Sequence, residues 1–212
     1  MQNIAIYGAG GFGREVACTI NMINKTTPTW NLIGFFDDGL EKGRAVQFGK
    51  ILGGMEELNR WDTPLSVCFG IGSPKALRSL AGKITNAKVD FPNIIAPNVV
   101  WLDETTVKMG KGNVICANSL ISCNVKLGDF NMINVMCHLG HESVFGDFNV
   151  VMPGADISGG AIIGDANLFG TKSVVLQYKK VGNEVVLSSG SVLLRNAKDG
   201  KVYLGNPAKV FM

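Results

Sequence analysis

Residues 119–146 read SLISCNVKLGDFNMINVMCHLGHESVFG, and a large apolar side chain returns at every sixth position: Ile121, Leu127, Ile133, Leu139 and Phe145. The count continues in both directions without a slip. Met109 and Ile115 precede it, and Val151, Ile157, Ile163, Phe169, Val175, Val181, Leu187 and Leu193 follow. Fifteen consecutive recurrences are not chance in a chain that is 46% hydrophobic. Two positions before the apolar residue the side chain is usually small or polar, as at Ser119, Asn131, Cys137, Ser143, Asn149, Ala155, Ala161, Asn167, Ser173 and Ser191. One position after it, glycine is frequent: Gly110, Gly128, Gly140, Gly146, Gly164, Gly170 and Gly182.

A period of six fits neither the 3.6-residue turn of a helix nor the alternation of an open sheet. It predicts a parallel β-helix of hexapeptide repeats, in which each hexad is one short strand and one corner. Three hexads make a triangular coil, so fifteen make about five coils, stabilised by neighbour-on-neighbour burial. The apolar residue should fill the interior, its small partner fit beside it, and the glycine relieve the corner backbone. At 174–179 the hexad reads VVLQYK, which predicts a locally altered coil at Gln177–Lys180 without a break in the count.

Residues 1–92 follow another plan. NIAIYGAGGFGREVACTINMI reads as a strand, a glycine turn and a helix with Val16, Ala17, Ile20 and Ile23 inward. LIGFFDD is a second strand ending in Asp37 and Asp38, and LSVCFGIGSPKALRSLAGKI is a third strand, glycine turn and helix. This alternation predicts a small Rossmann-like α/β domain over 1–92. The β-helix with a C-terminal tail then occupies 93–212, the join lying between Phe91 and Asp103. Gly8-Ala9-Gly10-Gly11-Phe12-Gly13 satisfies G-x-G-x-x-G at a strand-to-helix turn, where bare amides and a helix N-terminus can face a phosphate. Asp37 follows at a spacing suited to gripping a ribose. About 90 residues are too few for a full dinucleotide fold, so a mononucleotide or nucleotide-sugar suits the domain better than NAD.

The chain has only two histidines, His138 and His141. On the hexad frame His138 points outward from a strand while His141 lies at the following corner, so the two project in different directions. With no third histidine a catalytic zinc site lacks its usual ligand set, and no metal is expected. The net charge of +3, spread along the chain, gives no reason to expect nucleic acid. The start lacks the features of a signal peptide, and no apolar run is long enough to span a membrane. Five cysteines without a C-x-x-C pair predict free thiols and a cytoplasmic protein.

With IAIYGAGGFGREV, FFDD, HESVFGDF, the hexads and the terminal GNPAK (Gly205–Lys209), the sequence resembles a family of sugar acyltransferases. These join a nucleotide-sugar-binding α/β domain to a left-handed hexapeptide β-helix. The group is typified by bacterial sialic acid O-acetyltransferases and nucleotide-linked amino-sugar N-acetyltransferases. The resemblance covers nearly the whole chain. It implies acetyl-CoA as donor, a homotrimer with active sites between neighbouring β-helices, and His141 as general base beside Glu142. A free imidazole, titrating near pH 6.5, can take the proton of an attacking amine or hydroxyl. The neighbouring carboxylate would hold its tautomer.

The resemblance also implies an oxyanion donor at the Gly159 backbone N–H. The pantetheine arm would run past Gly159, Thr171 and Gly190. Asn134 would touch the acceptor sugar. Gly10, Gly11 and Phe12 would meet the nucleotide phosphates or sugar, Asp37 and Asp38 the base or ribose, and Gly72 would line the pocket. His138 has no assigned role. The expected reaction is acetyl-CoA-dependent N-acetylation of a UDP- or dTDP-linked amino sugar for surface polysaccharide or glycan synthesis. O-acetylation of a sugar hydroxyl and a non-catalytic sugar-nucleotide-binding scaffold are the alternatives.

Overall fold

The computed structural model describes residues 1–211. The first part runs β1 (Gln2–Tyr7), α1 (Gly11–Thr26), β2 (Trp30–Phe36), β3 (Ala45–Val46), β4 (Gly49–Gly53), α2 (Met55–Asn59), β5 (Leu65–Phe69), α3 (Pro74–Ala81) and β6 (Val89–Asp90). The sheet order is β3-β4-β2-β1-β5-β6, parallel except for the β3–β4 hairpin. Ile4, Ala5 and Ile6 of the central strand are fully buried, as a strand covered on both faces requires. Helix α1 turns Val16, Ala17 and Ile20 into the core. Ser73 caps α3 by accepting the Ala76 N–H, and Pro74 occupies its first turn. Since β2 and β5 flank β1 on opposite sides, their carboxyl ends open a crevice at the point where the strand order reverses.

From Ile94 onward the chain winds as a left-handed parallel β-helix with three faces. The first face stacks Ile94–Ile95, Val114–Ile115, Met132–Ile133, Val150–Val151, Leu168–Phe169, Val186–Leu187 and Val202–Gly205. It is closed by antiparallel Ala208–Val210. The second runs from Val100–Trp101 through His138–Leu139 and Asp156–Ile157 to Val192–Leu193, and the third from Lys108–Met109 to Lys180–Val181. The periodic residues from Ile115 to Leu193 are all buried, and so are the partners two positions earlier except Lys179, which is half-buried. The prism extends beyond the expected coils at both ends: Ile95 and Trp101 pair in register at the start, and Val202 and Tyr203 pair with Val186 and Leu187 at the finish. Two extra residues between Trp101 and Met109 are taken up by a 3-10 turn at Glu104–Thr106. No alteration occurs at Gln177–Lys180: Ile162–Ile163 pairs Lys180–Val181 in the common register.

The corners correct the expected role of glycine. The left-handed backbone conformation falls three residues after each buried apolar residue, on Asn118, Asn124, Phe130, Met136, Glu142 and Phe148, and continues along the chain. Asn accepts this conformation readily; Phe and Met accept it only because both flanking strands are fixed by the ladder. Glycines such as Gly128 and Gly146 do not adopt it. They are glycines because the next coil approaches too closely: a Cβ on Gly128 would strike Asp147, and one on Gly146 would strike Asp165. Those aspartates accept the backbone N–H of Asp129 and Asp147, linking coil to coil along the edge.

Inside the prism Asn113, Asn131, Asn149 and Asn167 form a buried ladder, each Oδ1 accepting from the asparagine one coil on. The last Oδ1 accepts the Val185 N–H at 2.7 Å. Outer-face residues Ile94, Val114, Met132 and Val150 belong to the same core as β1, α1 and β5, so the α/β domain sits on the first face. Phe69, Phe91, Phe130 and Phe148 fasten the junction, with ring centroids 5.1 Å apart for Phe91–Phe130 and 5.3 Å for Phe130–Phe148.

Replacing Asn149 by Ala strands the buried Asn167 N–H and amide without acceptors. Asn149→Ala should therefore lower unfolding stability by about 3 kcal/mol, read from the urea midpoint. Asn98→Ala, whose amide bonds an exposed Asn118, should change it by less than about 0.5 kcal/mol.

Candidate active site

Coil register places residue i against i+18. Cys123, His141, Gly159, Gln177 and Arg195 therefore stack along the edge between the second and third faces, about 4.8 Å apart per coil. His141 lies half-exposed at this edge. Its Nδ1 is 3.5 Å from Glu142 Oε2, a loose contact that draws the ring towards the carboxylate. The ring packs on the coil above so closely that any Cβ on Gly159 would collide with Nε2. The His141 carbonyl accepts the Gly160 N–H at 2.8 Å, fixing the two corners to each other. Among the described residues nothing accepts the Gly159 N–H, and Gly159 itself is buried against Gly140 of the coil below.

His138 and His141 do part as the frame requires, one on a strand and one at a corner. His138 is nevertheless partnered: its Nδ1 lies 3.0 Å from Asp156 Oδ1, one coil up on the same outer face. The pair follows from the 18-residue coil, which sets His138 directly below Asp156. Thr171 and Gly190 lie at the opposite edge of the second face, joined by a Gly190 N–H to Thr171 carbonyl bond of 2.8 Å. Gly159, Thr171 and Gly190 thus form a diagonal across that face, not a line along one edge. Asn134 is 5% exposed, and its Nδ2 donates to the Val151 carbonyl. The structure does not bring Asn134 to the surface.

In the α/β domain the glycines of the motif separate into two kinds. Gly8 has φ +104°, and a Cβ on Gly13 would strike the Gly8 carbonyl, so both are demanded by the turn and by helix-on-strand packing. Gly10, Gly11 and Gly72 face open space and satisfy no packing need. Phe12 beside them is half-buried against the core. Asp37 and Asp38 engage all four carboxylate oxygens. Asp37 accepts the Ala9 and Gly39 N–H groups, each at 2.9 Å, tying β2 to the glycine loop. Asp38 accepts the Tyr7 hydroxyl at 2.6 Å and the Met55 N–H at 2.8 Å, where it also serves the start of α2. Burial, and then the hydrogen bond to Asp38, pushes the Tyr7 phenol well above its usual range, so it stays a donor.

No three His, Cys, Asp or Glu side chains gather as a metal site among the described residues, and no described helix is long and apolar enough to cross a membrane. Burial raises the thiols of Cys68, Cys116 and Cys137 to about 12. Cys18 is exposed and Cys123 partly so. Titration of native protein with a chromogenic disulfide near pH 8 should show two fast thiols, and all five only after denaturation. A third fast thiol would contradict the burial.

Residues 3–84 match the family model described as the PglD N-terminal domain. No curated protein matches the chain by sequence. Among solved structures, the acetyltransferase domain of PglB from Neisseria gonorrhoeae FA1090 in complex with acetyl coenzyme A is 25% identical, with 99% of each chain covered and a TM-score of 0.89. WeeI from Acinetobacter baumannii AYE is 26% identical over 100% of both chains, with a TM-score of 0.88. A histidine variant of perosamine N-acetyltransferase from Caulobacter crescentus, in complex with CoA and GDP-perosamine, is 20% identical. There the match covers 100% of this chain and 98% of that one, with a TM-score of 0.90, and shows the fold alone. The resemblance to sugar acetyltransferases with a left-handed β-helix thus extends from motifs to the whole two-domain fold.

Proposed function

We propose, from that shared two-domain fold and the geometry of its edge, that the chain is an acetyl-CoA-dependent N-acetyltransferase acting on a nucleotide-linked amino sugar. Residues 1–92 hold the nucleotide-sugar and residues 93–212 carry the acyl transfer. The observation that carries the reading is the His141–Gly159 contact: the exposed imidazole packs on the coil above at Gly159, whose backbone N–H has no acceptor among the described residues. The PglB acetyltransferase domain, structurally superimposable along its whole length, is recorded with acetyl coenzyme A, which supports the choice of donor.

In this reading the acceptor amine attacks the thioester carbonyl while His141 takes its proton, forming the C–N bond. The Gly159 N–H donates to the carbonyl oxygen as negative charge gathers there. The C–S bond then breaks, and the imidazolium returns the proton to the departing thiolate. Glu142 orients the ring for the proton transfer. No acyl-enzyme is required, because the amine attacks the thioester directly. Gly159, Thr171 and Gly190 line the donor's path diagonally across the second face. Gly10, Gly11 and Gly72 let the nucleotide approach the backbone, and Asp37 and Asp38 shape that loop and offer their remaining lone pairs to base or ribose.

A homotrimer completes the site. The second face carries Val100, Leu120, Val174 and Val192 outward, and Leu102, Met136, Leu176, Tyr178 and Leu194 stand exposed at its edges. The face is apolar towards both ends with the His138–Asp156 pair between them, a rigid surface suited to a second copy of the chain. The protein works in the cytoplasm, where acetyl-CoA and sugar nucleotides are made.

Purified protein should release thiol from acetyl-CoA with at least one UDP-, dTDP- or GDP-linked amino sugar, and run in solution near three times 22.6 kDa. His141→Ala should remain trimeric and lose turnover by about a hundredfold or more. Full turnover in that variant would mean that the histidine is idle. Release with sugar hydroxyls but with no amino sugar would replace N- by O-acetylation.

A further inference from the structure

The glycine loop is not by itself a good seat for a diphosphate. Asp37 places its carboxylate on the Ala9 N–H inside the loop, and Asp38 follows directly. Any polyanion reaching the start of α1 meets this charge at short range. Beside the loop lies a cavity of about 450 Å³ lined by Ala9, Arg14, Leu40, Arg44 and Val46. Leu40 also borders a cavity of about 270 Å³ in which Asp37, Asp38, Glu56 and Glu57 outnumber the one cation, Lys42. Two compartments of opposite charge therefore share one wall.

Neither arginine has a carboxylate partner: the ion pairs among the described residues involve Arg60, Arg78, His138 and His141. Arg14 sits in the first turn of α1, where a cation opposes the helix dipole, and no acidic side chain lies in that turn to offset it. A bound anion removes that cost. The Arg44 backbone is fixed by N–H donation to the Glu41 carbonyl and by acceptance of the Ile51 N–H, so its side chain leaves a rigid hairpin. Guanidinium groups are suited to bidentate contact with phosphate oxygens.

We propose that Arg14 and Arg44 form the diphosphate subsite of the nucleotide-sugar, beside the glycine loop and not on the helix start. The inference rests on the nucleotide-sugar reading above. Gly10 and Gly11 then provide close backbone approach, while the two arginines supply the charge that Asp37 denies.

The test is calorimetric binding of UDP, dTDP and GDP to the full chain and to Arg14→Gln, Arg44→Gln and the distant control Arg78→Gln. Both loop variants remove exposed side chains, and unchanged melting temperatures confirm that they fold. Each should weaken the bound diphosphate by about ten- to a hundredfold and flatten the salt dependence of its Kd, with the KM for acetyl-CoA unchanged. Arg78→Gln should bind as the wild type does. Wild-type affinity in both loop variants overturns the inference and leaves the nucleotide reading standing. Failure of the wild type to bind any of the three diphosphates overturns that reading, and the inference with it.

Discussion

The parallel ladder of the β-helix, one coil of 18 residues stacked on the next, is the constraint on which the rest depends. Each coil hydrogen-bonds only to its neighbours, and burying the apolar residue of every hexad is what holds them in contact. Register then turns sequence distance into position. His141 faces Gly159, His138 faces Asp156, and each ladder asparagine faces the next. A slip of one residue would turn the apolar series outward and dissolve the edge on which the imidazole rests. The chemistry of the corner is therefore bound up with the stability of the core.

The same stacking explains the tolerance of strained backbone. Phe130, Met136, Glu142 and Tyr178 adopt a left-handed conformation unfavourable for their residue types, and the flanking strands leave no alternative. Two of the corner aromatics are put to use. Phe130 meets Phe69 and Phe91 edge-on and stacks on Phe148, so the strained corners of the prism become the floor of the α/β domain. One continuous core thereby fixes the glycine loop relative to the first face of the prism.

The hexad series made the prism legible, since a buried interior permits only apolar residues at those positions. The reason for the glycines was not legible. A glycine excluded by the coil above and a glycine required by positive φ look alike in one dimension, and only the placement of Asp147 behind Gly128 separates them. The two ends of the prism escaped the count because a 3-10 turn at Glu104–Thr106 and a shortened last coil each shift it by two. At the site, His141 and Glu142 were visible as a motif, whereas the commitment of Asp37 and Asp38 to backbone N–H groups was not. Asn134 shows the limit from the other side: a polar residue beside a motif turned out to be buried in the coil. Arg14 and Arg44 carry no motif beyond their charge, and only the fold brings them to one cavity.

The central claim is that acyl transfer takes place at the edge where the His141 ring packs on Gly159. The most direct measurement is a crystal structure of the assembled protein with CoA and the amino sugar-nucleotide that it turns over. The account predicts the acceptor nitrogen within about 3.2 Å of a His141 ring nitrogen, with the CoA sulfur beside Gly159. A sulfur seated elsewhere on the prism, with His141 touching neither substrate, would contradict it.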